Sequence, residues 1–224
     1  MSTKLFRLLT ALSGIVGVIM LIISFNINPG PPSNATSTQL AAFANQNFIS
    51  ILWGAWLQAV GPLLIMLFAF ALVCLAGATT RLAGWMTLFG GAILMMVSLV
   101  EITFYIGTLY GTTTGLISLD LIYAVQHLYF IVAAPALFLP LGAVILGSRV
   151  LPRVFGYLAL VLGAAFAILG VVFLYSLTLP AAVLAFAGIQ TFWWLAAAIT
   201  LIARTEKTSD SASVKTPEPA GSAQ

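Results

Sequence analysis

Charge is what this chain has least of. Only 6% of its 224 residues are Asp, Glu, Lys or Arg, where a water-soluble domain carries about 25%. Most of the surface must therefore face lipid, and a folded soluble domain is excluded. A lone cysteine, Cys74, rules out an internal disulfide and reads as buried apolar packing near a helix end. A lone histidine, His127, rules out haem held by two histidines. One histidine and two carboxylates could meet a divalent ion, yet a structural zinc site takes four ligands, usually with more His or Cys. No metal and no cofactor is expected. No Gly-x-Ser-x-Gly marks a nucleophile, and no basic cluster is dense enough for nucleic acid.

What the chain does have is apolar length. Hydrophobic residues make up 62% of it and the mean hydropathy is +1.14. A membrane helix needs about 20 apolar residues to cross a core of about 30 Å. Six runs qualify, at 6–25, 48–76, 83–106, 119–147, 154–176 and 180–203. The eight basic residues fall into alternate gaps between them: Lys4 and Arg7, then Arg81, then Arg149 and Arg153, then Arg204, Lys207 and Lys215. The gaps around 26–47, 107–118 and 176–180 contain none. Basic flanks resist translocation, so the pattern predicts an all-α integral membrane bundle of six transmembrane helices with both termini cytoplasmic. Lys4 and Arg7 resemble the basic start of a signal peptide. The apolar run to Phe25 is longer than a signal core, however, and no small-residue cleavage site follows it; a retained helix is expected.

Residues 1–203 thus form one transmembrane domain. Residues 204–224, with almost nothing apolar to bury, read as a disordered cytoplasmic tail. The second and fourth runs are long and contain Pro62, Pro135 and Pro140, so those helices should tilt, bend or project. Between the first two runs, Asn28-Pro-Gly-Pro-Pro-Ser33 cannot continue a helix, and Asn34-Ala35-Thr36 has the form of a glycosylation acceptor. Arg81, Gly84, Trp85 and Gly91 recur 72 residues later as Arg153, Gly156, Tyr157 and Gly163, and Arg7 with Gly17 repeats the spacing more faintly. Three helical hairpins in parallel repeat account for this. The glycines, Gly14, Gly17, Gly90 and Gly170 among them, read as close helix contacts.

Chemistry is confined to a few polar side chains. Glu101 and Asp120 are the only acids before the tail, and both flank the second far-side gap. Ionisable groups inside a membrane are functional candidates because burying charge there is costly. Asp120 is expected in the first turn of its helix, where it would complement the dipole. His127 lies two turns, roughly 10 Å, deeper, with Tyr123 between them on one face and Gln126 and Tyr129 beside it. The candidate cluster is therefore Glu101, Asp120, Tyr123, Gln126 and His127, with Gln58 and Gln190 able to add polar contacts. It could relay protons or hold a ligand.

The segment Leu139-Pro-Leu-Gly-Ala-Val-Ile-Leu-Gly-Ser-Arg-Val-Leu-Pro-Arg-Val-Phe-Gly-Tyr-Leu158 resembles bacterial multi-pass proteins of the uncharacterised domain-of-unknown-function 4386 type, with Val154 in place of the expected Trp. That resemblance implies a helical protein of the bacterial inner (plasma) membrane and brings no activity with it. Three classes then compete. The first is binding or transport of a small apolar or protonatable molecule. The second is an enzyme acting on a lipid or quinone with His127 as base. The third is an accessory subunit beside a partner or a second copy. Membrane lipids are partners in all three.

Overall fold

Thr36 opens the longest helix. Its hydroxyl accepts from the Gln39 N–H at 3.3 Å, and the Gln39 side chain accepts from the Thr36 N–H at 2.9 Å. This reciprocal cap satisfies two donors that a helix start otherwise leaves free. The helix that follows, α2, runs unbroken from Ser37 to Leu75. The computed structural model describes residues 3–28, 36–109, 112–172 and 181–213, and within them places all side chains except those of 112–116, 119, 123, 181–184 and 206–213. The remaining helices are α1 (Thr3–Ile27), α3 (Leu82–Gly107), α4 (Thr112–Leu128), α5 (Ala134–Leu146), α6 (Arg153–Val172) and α7 (Ala181–Ser213). A five-residue π-helical turn, Tyr129–Ala133, joins α4 to α5. Among the described residues there is no strand, and six helical stretches are long and apolar enough to cross a membrane.

Three boundaries differ from the hydropathy reading. The 39 residues of α2 rise about 58 Å, nearly twice the thickness of a hydrocarbon core of about 30 Å. Most of the gap expected at 26–47 is therefore helix, with Leu40 and Ala44 buried in the extension. The Pro-rich stretch 29–33 and Asn34 lie outside the described residues. α4 starts at Thr112, so Asp120 sits in its third turn and does not cap its first. α7 continues past Arg204 to Ser213 because no helix-breaking residue occurs between Gly188 and Pro217; the tail beyond 213 lies outside the described residues. Thr36→Ala should cost about 1 kcal/mol of local stability. Faster amide exchange over Ser37–Phe48, with the spans unaffected, is the expected signature.

Glycines set how the helices seat. A methyl group on Gly17 would lie 2.7 Å from the Gly61 carbonyl, and one on Gly61 2.9 Å from that of Gly17, so α1 and α2 touch backbone to backbone. Ser24 completes this contact by donating to the Gly54 carbonyl at 2.8 Å. On α3, Gly90 meets the Ala136 carbonyl of α5, and Gly91 faces Phe70 and Met66 of α2. Gly142 and Gly156 bring α5 and α6 together, and Gly163 receives Leu139. Gly91 and Gly163, 72 residues apart, thus each accept a side chain from the preceding span. α7 rests mainly on α1, near Gly14 and Ala198. It meets α6 through the Phe155–Trp193 and Phe166–Phe186 rings, at 6.2 and 6.1 Å.

Phe68, Phe138, Phe166 and Trp194 are fully buried at the centre, with ring centroids 5.2 Å apart for Phe138–Trp194 and 6.0 Å for Phe68–Trp194. Leu9, Ile19, Phe89, Val161 and Phe192 point outward. An apolar shell of this kind is expected against lipid and unsuited to water. The neighbouring helices are antiparallel, so the α2–α3 and α5–α6 connections and the end of α7 share one face. There Arg204 donates to the Arg149 carbonyl at 2.7 Å, and the Arg81 guanidinium approaches Gly147. We call this the basic face and its opposite the far face.

Candidate functional site

Pro135 shapes the site from one turn away. It has no N–H to donate, and its ring would clash with the carbonyl four residues earlier, that of Ile131. The chain answers with the wider π turn, in which the Ala134 N–H bonds to the Tyr129 carbonyl five residues back. Such a turn inserts one extra residue into the helix. It places Tyr129 and Phe130 on the interior side, where their rings meet at 5.2 Å and both line a cavity.

Two side-chain hydrogen bonds frame that cavity. Gln126 Nε2 donates to Glu101 Oε1 at 2.9 Å, tying α4 to α3. The Tyr129 hydroxyl donates to Gln190 Oε1 at 2.6 Å, tying the π turn to α7. Between them is a partly open space of about 200 Å³. Leu21 and Phe25 of α1 reach it, as do Gln58, Pro62 and Met66 of α2 and Leu94 and Ser98 of α3. Thr191 and Trp194 complete it from α7. Among the described residues, every span except α6 contributes. Glu101 is 19 residues beyond Leu82, roughly 28 Å from the basic end of α3, so the cavity lies in the far half of the bundle.

The sequence-predicted cluster divides. Glu101 and Gln126 are brought together, and Gln58 and Gln190 join them in the lining. His127 is half-buried and is not part of the lining, because consecutive helical residues are turned about 100° apart. With Gln126 aimed at Glu101, His127 must face elsewhere. Asp120 is exposed, and the Tyr123 side chain lies outside the described residues. The tryptophans divide as well: Trp53 and Trp56 are exposed and stacked edge-to-face at 5.9 Å, as in an interfacial belt, while Trp193 and Trp194 are buried. Sequence reasoning missed the Tyr129–Gln190 link. Its available signal was a pair of polar residues within otherwise apolar helices.

Chemically, the cavity offers one carboxyl group, three primary amides, three hydroxyls and several aromatic faces. Among the described residues, no three His, Cys, Asp or Glu side chains converge as a metal site would require. Of the described residues, Ser98 lines the cavity and His127 does not. Comparison with protein-family models, curated proteins and solved structures finds no match to this chain.

Proposed function

We propose that this chain is a multi-pass membrane protein that binds, and passes or senses, a small apolar or protonatable molecule in the cavity beside Glu101. One observation carries the reading: a carboxyl group lines a small, mostly apolar space inside the bundle, where a purely structural core would place another hydrocarbon side chain. Ionisable groups at such positions line ligand or ion pathways in membrane proteins. The distribution of Lys and Arg supports a basic face in the cytoplasm, with both termini there. The 72-residue likeness supports three repeated hairpins, and the resemblance of residues 139–158 supports a bacterial inner membrane. Nothing in the geometry favours a reaction, since the one histidine is not among the lining residues.

Calorimetric titration of the purified protein in neutral detergent with a panel of one-ring compounds tests the reading. The panel is benzyl alcohol, benzylamine and benzyltrimethylammonium. Saturable one-to-one binding of at least one member is expected. Failure of the whole panel overturns it.

A further inference from the structure

Glu101 is the one carboxyl group among the described lining residues, and no Lys or Arg lines the cavity with it. Its Oε1 accepts from Gln126. Gln126 is neutral, as are all the other described lining residues. The nearest Lys or Arg along α3, Arg81, precedes Glu101 by 20 residues, about 30 Å of helix and on the opposite face. A charge is retained in an apolar interior only when it is paired. Gln126 supplies one neutral hydrogen bond, and a cation entering the cavity would pair the carboxylate.

The rest of the wall fits a particular partner. Tyr129, Phe130 and Trp194 present aromatic rings to the same space, and such faces attract organic cations, with Trp the strongest. The volume of about 200 Å³ is only somewhat larger than the roughly 150 Å³ apolar cavity that holds benzene. That admits one ring with a small head group. A single carboxyl group neutralises a single positive charge.

We infer that the cavity selects small organic monocations, amines or quaternary ammoniums of about one ring, with the cationic head at Glu101 and the apolar part between Trp194 and Phe130. This rests on the binding reading above and names its ligand class. Binding falls to the neutral level when the carboxyl group is removed, because the remaining lining is uncharged.

The test compares benzylamine and benzyltrimethylammonium with neutral benzyl alcohol, by calorimetry in neutral detergent, on the wild type, Glu101→Gln and Glu101→Asp. Both cations should bind the wild type at least about ten-fold more tightly than the alcohol, as a charge-assisted contact requires. Glu101→Gln should erase that preference and keep the alcohol's affinity within about three-fold, since the amide preserves shape and can still meet Gln126. The retained alcohol binding also shows that the variant is folded. Glu101→Asp should keep part of the preference. Equal affinity for alcohol and cations in the wild type overturns the cation assignment and leaves the cavity reading standing. So does a preference that survives Glu101→Gln. No binding of any of the three compounds overturns both.

Discussion

Leucine in place of Gly90 should prevent the bundle from assembling. The Gly90 Cα faces the Ala136 carbonyl so closely that even one methyl group there would overlap it. The obstacle is backbone in the middle of α5, not the flexible end of a side chain, so relief requires α3 and α5 to move apart. Separation would pull Glu101 from Gln126, which lies on the same helix interface. Forcing bulk into a packed interior costs about 1–3 kcal/mol where side chains can adjust, and more where they cannot; Gly90→Leu belongs to the second case. Gly188 is the control, because a Cβ added there meets nothing within 4 Å and the position is exposed. Unfolding titrations in mixed detergent should show Gly90→Leu losing at least about 3 kcal/mol or failing to fold, Gly90→Ala intermediate, and Gly188→Leu close to wild type. Equal tolerance at both positions would mean that α3 does not cross α5 at Gly90.

The second large effect is expected from filling the cavity. Ser98 lies one turn before Glu101 on the same face of α3 and lines the cavity. An indole at this position would enter an existing space, so Ser98→Trp should fold with a stability near that of the wild type. Ligands would then lose their room while the carboxyl group remains. Every one-ring compound, charged or neutral, should weaken by at least about a hundred-fold, the loss of nearly all burial of a ring worth about 2–3 kcal/mol. This behaviour differs from that of Glu101→Gln, which removes charge and keeps space. Unchanged affinity in a folded Ser98→Trp protein would place the ligand elsewhere.

These two positions also show how far the chain can be read unaided. The six spans follow from where Lys and Arg fall and from apolar length, both of which are one-dimensional properties. Helix ends followed less well. Thr36 and Gln39 form a capping box in a polar stretch that hydropathy assigns to a loop, and the same bias delayed the start of α4 past Thr112. The choice between Gln126 and His127 is a matter of rotation. Adjacent residues point about 100° apart, and which one meets Glu101 depends on how α4 is turned against α3. That turn is set by distant contacts, Gly90 on Ala136 and Ser118 on Gly107, together with the extra residue that Pro135 forces into the π turn. Periodicity within one helix carries no record of them. The Tyr129–Gln190 bond spans 61 positions and appears only once α7 has packed.

The most direct measurement is the protection of a cysteine at position 98. In a Cys74→Ala background, which removes the native thiol that proves exposed and not buried as the sequence suggested, Ser98→Cys would react with N-ethylmaleimide, a small uncharged reagent. Saturating benzyltrimethylammonium should slow that reaction at least about ten-fold by occupying the space beside the thiol, and the concentration needed for half of that slowing should rise at least about ten-fold when Glu101→Gln is added. A labelling rate that is the same with and without the cation would contradict the account.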